Sequence, residues 1–302
     1  MSAPSTTVAV AKVQTPFKRI CTQYAESPVA MVGLVMLVVV MFTALFAPWI
    51  SPQNPYDLAS LDLMDARLAP GEKGLNGQTY LLGTDGQGRD MVSAIFYGLR
   101  VSLYVGLTSG IIALVIGSVV GVLAAHLGGR FEQIIMRLVD IQLGFPAILV
   151  ALVLLAVLGK GVDKIIIALV SVQWAYYART ARSAALVERG KEYVEAARSL
   201  GLKGSRIVLR HLLPNAMAPL IVVGTVQVAH AIALEATLSF LGLGLPATEP
   251  SLGLLISNGY EYLMSGKYWI SVYPGIALLL TILAINLVGD QMRDILNPRL
   301  SR

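Results

Sequence analysis

Long apolar runs constrain this chain more than any other feature. VAMVGLVMLVVVMFTALFAPWI occupies 29–50 and VSLYVGLTSGIIALVIGSVVGVLAA occupies 101–125; further runs lie at about 139–159, 212–244 and 268–289. A bilayer core about 30 Å thick takes about 20 such residues in helical form. Backbone groups in lipid must pair within their own segment, so each run is expected to be a helix. A sixth run, IIIALVSVQWAYYA, is shorter: 14 uncharged residues separate Lys164 from Arg179. It spans if those two side chains snorkel to the interfaces. The expected fold class is an all-α polytopic membrane protein with six transmembrane helices. Composition agrees, because 14% charged residues falls far below the roughly 25% of a soluble domain. The run at 29–50 is no cleaved signal peptide: it is too long for an h-region and has no A-x-A exit.

Six spans put both termini on one side, and the basic residues say which. With the tails inside, the inner segments hold 16 of the 23 Lys and Arg residues and the outer segments hold 7. The positive-inside bias therefore places both termini in the cytoplasm. It also accounts for the net charge of +5 without a nucleic-acid partner. The organisation expected is a cytoplasmic tail at 1–28, a first span at 29–50, and an outer loop at 51–100. A membrane core at 101–291 and a cytoplasmic tail at 292–302 follow. The outer loop has three prolines and six acidic residues and reads as a small ordered cap. Its GTDGQG lacks the spacing and the β/α context of a nucleotide-binding loop.

One inner segment stands apart. EAARSLGLKGSRIVLRHLLPN, at 195–215, carries Glu195, Arg198, Lys203, Arg206 and Arg210 between apolar stretches. Gly201 and Gly204 lie close together, and a glycine inside a helix costs about 1 kcal/mol relative to alanine, so a turn between short helices is expected there. GSRIVLRHLL reads as a short amphipathic helix at the membrane surface, and Pro214 fits the first turn of the next span. On these residues alone two readings stand: a loop whose charges only set topology, or a docking element for a cytoplasmic partner.

Glu195, Ala196, Ala197, Gly201, Leu213 and Pro214 resemble the EAA loop of bacterial ABC importer permeases in register, with His211 where that pattern has a hydrophobic residue. LLGTDGQGRDMVSAIFYGLRVSL at 81–103, MRLVDIQLGFPAILVAL at 136–152, EATLSFLGLGLP at 235–246 and NLVGDQMRDILNPRL at 286–300 are similar to the C-type permeases of dipeptide, oligopeptide and nickel importers. Ser251-Leu252-Gly253, in the expected outer loop between the last two spans, departs from the usual Ser-Trp-Gly of that branch. The resemblance covers the chain from about residue 28 onward. It implies the ABC type I importer permease fold, with cytoplasmic coupling helices at about 188–213 that sit in a cleft of an ATP-binding subunit. It implies as partners a second, homologous permease in a heterodimer, two ATP-binding subunits and a periplasmic substrate-binding protein. The location implied is the bacterial inner membrane, and the cargo a di- or oligopeptide, with nickel or another small solute as the alternative. Glu195 and Gly201 would shape the turn. Arg198, Lys203, Arg206 and Arg210 would meet the partner or lipid headgroups.

Energy must come from elsewhere. Gly190-Lys191 is followed by Glu192, and Gly266-Lys267 by Tyr268, so neither completes GxxxxGK[ST]. ATP and magnesium are expected in the partner ATPases, and no cofactor in this chain. The single Cys21 and the scattered His126, His211 and His230 offer no metal-ligand spacing or nucleophile constellation, so no enzyme is expected. Two acids fall in the apolar runs, where a charge costs about 2.5–3.5 kcal/mol. Asp140 is expected near headgroups, paired with a base such as Arg137. Glu235 either pairs and holds packing or lines the translocation path, with Asp140 as the second path candidate. These two are also the only obvious carriers for an ion-coupled secondary transporter, the competing class. Gly106/Gly110 and Gly117/Gly121 have the spacing that lets helices approach closely.

Overall fold

The computed structural model describes residues 22–57, 61–75, 77–246 and 248–296. The expectations placed on the two tails, including those for Cys21 and most of the terminal basic residues, lie outside the described residues. Helix α1, Pro28–Ile50, opens with Pro28 and with Ser27 accepting a bond from Ala30 N. α2 is Met91–Leu127, α3 Gly129–Gly144, α4 Ala147–Leu158, α5 Val162–Arg189 and α6 Glu192–Ser199. α7, Gly204–Ile207, runs through a π-helical turn, Val208–Leu212, into α8, Leu213–Phe240. α9 is Leu252–Tyr260 and α10 is Trp269–Leu296. No strand forms among the described residues; Lys73 with Thr79 and Thr84 with Asp90 make isolated bridges.

α2 and α5 form the central pair, and α8 packs against both. The glycines on α2 have the packing role their spacing suggests: side chains at Gly117 and Gly121 would collide with the Trp174 and Ala178 carbonyls of α5, and Gly106 lies against Ile232 of α8. α1 covers the seam between α2 and α10.

By length and composition α1, α2, the continuous Gly204–Phe240 helix and α10 are membrane spans, and α3 with α4 makes a fifth if that bent pair counts as one. Several expected boundaries change. The run at 139–159 is no straight helix: α3 and α4 meet at 91°. Pro146 causes the break, because a residue before proline is driven out of the α region, and Phe145 is extended. The weak fourth run belongs to the 28-residue α5, which is less apolar than the other long helices because charges sit at both ends. Its middle is enclosed by other helices, with Ile165, Ala168, Leu169, Val172 and Ala175 buried, so packing replaces lipid contact. α2 begins at Met91, ten residues before the apolar run, and its 37 residues extend about 55 Å. The segment around Ser251 is the packed helix α9 rather than an open loop, N-capped by Ser251.

The described residues between 51 and 90 form a cap that follows α1 and is bonded to the starts of α2 and α10. Asp90 accepts bonds from Ser93 N and Oγ at the start of α2. Gln53 Oε1 accepts from Asp90 N, and Trp269 Nε1 at the start of α10 donates to Thr84 O.

Candidate functional site

At the opposite end from the cap, α6, a tight turn and α7 project as a knob. α6 closes in a Schellman arrangement. Gly201 N donates to Arg198 O at 2.9 Å and Leu202 N to Ala197 O at 3.2 Å. Gly201 has φ +71°, a left-handed conformation that glycine adopts without a Cβ penalty. Leu202 packs toward Ala197 in the cluster that also holds Val194, Ile207 and Leu212. The knob therefore grows from the interior of the bundle, since Ala181, Ala185 and Val122 belong to the same cluster.

The expected site residues divide by face. Glu195, Ala196, Arg198, Gly201, Lys203, Arg206 and Arg210 are exposed, and Ala197 is buried. Leu200, at 80% exposure, and Leu209, at 66%, lie apolar among the charges. GSRIVLRHLL is not a separate surface helix: α7 continues into the next span through the π turn. That turn closes with Leu213 N on Val208 O. It comes just before Pro214, whose ring would otherwise clash with the Arg210 carbonyl. His211 stands in the pattern's hydrophobic position with reason, half-buried with its ring 5.9 Å from that of Tyr193.

Sequence reading missed the polar base that fixes the knob. Glu188, at the end of α5, accepts from Lys191 Nζ and Tyr193 Oη, both at 2.6 Å. Asn215 Nδ2 donates to Tyr193 Oη and to His211 O, adding α8 to the network. Burial and the bond to Glu188 push the Tyr193 phenol up to about 12. Arg189 donates to Ala125 O of α2, and Arg182 to Glu132 of α3 at 2.7 Å. A push on the knob thus reaches α2, α3, α5 and α8 through packing and these bonds. The three-residue spacing of Glu188 and Lys191 was the one local signal; the other partners are distant in sequence.

The two intramembrane acids part company. Asp140 pairs with Arg179 of α5, not with Arg137, because a one-turn neighbour on its own helix is displaced by a base on the facing one. Arg179 itself lines a cavity of about 1000 Å3 between α5, α8 and α10, together with Asn215, Gln227, His230, Asp290 and Arg293. Glu235 is absent from that lining and has no exposed surface. It accepts bonds from Ser102 Oγ at 2.9 Å and Ser239 Oγ at 2.8 Å. It ties α2 to α8.

Comparison with known proteins bears on this arrangement. The family model described as binding-protein-dependent transport system inner membrane component matches residues 117–302, and that of the N-terminal TM domain of oligopeptide transport permease C matches residues 15–70. The dipeptide transport system permease protein DppC of Escherichia coli (strain K12) is 40% identical over 289 residues, covering 95% of each chain. A putative peptide transport system permease protein of Brucella suis biovar 1 is 42% identical, covering 89% of this chain and 87% of its own. The oligopeptide transport system permease protein OppC of Bacillus subtilis is 36% identical, covering 93% and 88%. Among solved structures, a chain of the MetNI methionine ABC transporter in an inward-facing conformation matches with TM-score 0.57 and 22% identity, over 68% of this chain and 98% of that one.

Proposed function

This chain belongs to the family of binding-protein-dependent transport system inner membrane components, the permeases of ABC importers, and from that premise we propose that it passes di- or oligopeptides inward, driven by ATPases seated on its knob. The relatives named for peptide, dipeptide and oligopeptide transport support the cargo. The observation that carries the mechanism is the knob itself. Its outer face presents charges and two exposed leucines, while its base is bonded into the helices that border the cavity.

In this reading a second, homologous permease completes a heterodimer, and two ATP-binding subunits grip the coupling elements of the pair. ATP and magnesium belong to those subunits. A periplasmic binding protein delivers the peptide on the cap side. The chain lies in the bacterial inner membrane with both termini cytoplasmic, as the Lys and Arg distribution supports. Movement of the ATPases would tilt α5 and α8 through Glu188, Tyr193 and Asn215. Cargo would leave through the cavity past Gln227, His230 and Asp290, where Arg293 matches a peptide carboxylate. The ion-coupled alternative loses its footing, since Glu235 is enclosed and Asp140 is paired.

Uptake of labelled di-, tri- and longer peptides and of nickel ion tests the cargo, in a strain lacking the gene and in the same strain with it restored. Peptide uptake that vanishes on ATP depletion is expected; nickel uptake alone would overturn the peptide reading. Gly201→Asp tests the docking. Nothing lies within 4 Å of a Cβ at Gly201, and aspartate tolerates the left-handed region better than most residues. The variant should therefore insert normally and lose the co-purifying ATPase. Unchanged association and unchanged uptake would remove the knob from the mechanism.

A further inference from the structure

A second cavity, of about 740 Å3, lies between α1 and α2, away from the knob. Its walls are apolar: Met41, Phe42 and Leu45 of α1 face it, as do Tyr104 and Leu107 of α2. One end differs. Arg100 and Glu249 both line it there, beside Tyr56. Arg100 is exposed, and neither it nor Glu249 forms an ion pair among the described residues.

The level of that end in the membrane is readable. Arg100 immediately precedes the apolar run 101–125, so it stands at the rim of the hydrocarbon layer. Trp49, Tyr56 and Tyr104 are exposed there, and exposed Trp and Tyr collect at headgroup depth. A guanidinium at that depth calls for a phosphate, which it binds through paired charge-assisted bonds. Glu249 calls for a cation close to that phosphate. The groove below calls for a hydrocarbon chain.

One class of molecule meets all three demands. We propose that this groove is a binding site for a phospholipid with a primary-amine headgroup, of the phosphatidylethanolamine type. One acyl chain lies between α1 and α2, the phosphate sits on Arg100 and the ammonium on Glu249. A choline head offers no N–H to the carboxylate. A glycerol head offers no cation and leaves Glu249 facing the phosphate. The lipid fills the seam between α1 and the central helix α2, and so holds α1 against the core.

The test uses the complete transporter, purified with its partner subunits. Its bound lipid is read by native mass spectrometry after exchange into discs of phosphatidylethanolamine, phosphatidylcholine or phosphatidylglycerol. Phosphatidylethanolamine is expected to be retained over the other two. Arg100→Gln lowers retention of every phospholipid about tenfold, the loss of one charge-assisted contact. Glu249→Gln keeps retention and erases the preference for ethanolamine over choline. Arg100 is exposed and Glu249 half-buried, and neither forms an ion pair among the described residues, so the variants fold. A photoreactive phenylalanine analogue in place of Leu107 is expected to form a lipid adduct. Equal retention by wild type and Arg100→Gln would overturn the site. So would a Leu107-position adduct to another subunit, since a protein helix would then occupy the groove.

Discussion

The cap buries an ion pair and two further acids, whereas the outer face of the knob keeps its charges exposed. In the cap, Arg89 Nε meets Asp85 Oδ2 at 2.7 Å with side chains 1% and 2% exposed. Asp65, also buried, accepts from Leu75 N and Tyr80 Oη, while Leu63 and Met64 face outward. In the knob, Glu195, Arg198, Lys203, Arg206 and Arg210 are exposed and form no ion pairs among the described residues. The two regions share one device, a tyrosine donating to a carboxylate: Tyr80 to Asp65 and Tyr193 to Glu188. The difference lies in where the remaining polar groups find partners. The buried carboxylates of the cap, Asp65, Asp85 and Asp90, find theirs within it and at the start of α2, which braces it against α2 and α10. Those of the knob are satisfied only at its base, which leaves the outer face for another protein.

The largest effect belongs to the cap. Removing one partner of a buried ion pair strands the other and costs about 3–5 kcal/mol. Arg89→Ala is accordingly expected to depress thermal stability and membrane abundance sharply, as read by unfolding in detergent and by immunoblot. A loss no larger than the ~1 kcal/mol of a surface pair would erase the contrast between the two ends.

Glu188→Gln, at the base of the knob, comes next. It replaces charged acceptors for Lys191 and Tyr193 by a neutral one, at a cost of about 1–3 kcal/mol. The outer face is untouched, so the ATPase should still co-purify. Uptake and the stimulation of ATP hydrolysis by loaded binding protein should fall together. Normal stimulation would mean that the knob transmits by packing alone.

How much of this was legible in the sequence depends on the range of the interaction. Apolar runs gave the spans because lipid sets their length. Gly201 gave the turn because a positive φ leaves a local trace, and Gly117 with Gly121 gave the α2–α5 contact because close approach needs small residues at helical spacing. The third run misled, because hydropathy is blind to direction while Pro146 turns the chain through 91°. α5 looked weak because burial against α2 substitutes for apolarity. Partnerships across helices left no trace. Asp140 was expected on Arg137 because that base is one turn away, yet Arg179 on the facing helix takes it. Glu235 read as a path candidate because an acid in an apolar run is conspicuous, whereas Ser102, which satisfies it from α2, is not.

The shared tyrosine device predicts a smaller, pH-dependent effect. Burial, with the bond to Asp65, pushes the Tyr80 phenol from 10.0 up to about 12, and Tyr193 is raised to about 12 beside Glu188. In each the neutral phenol is the form the fold favours. The stability it contributes is complete below pH 10 and is lost as pH rises through about 12. Tyr80→Phe and Tyr193→Phe should each remove one late-ionising phenol from the alkaline absorbance titration. A phenol titrating near 10 at either site would contradict its bond.

The smallest effect on folding is expected at Arg206, exposed on α7. Surface substitutions away from structural features stay within about ±0.5 kcal/mol, so Arg206→Glu should leave the unfolding temperature of the permease where it was. Association with the ATPase should weaken all the same, because a charge aimed at a partner has been reversed. That weakening carries its own signature. Interactions between exposed charges are screened by salt, so wild type and variant should differ most at low ionic strength and converge as salt is raised. A stability loss comparable to that of Arg89→Ala would mean that the knob, like the cap, needs its charges to fold. A salt-insensitive difference would mean that Leu200 and Leu209, rather than the basic residues, carry the docking.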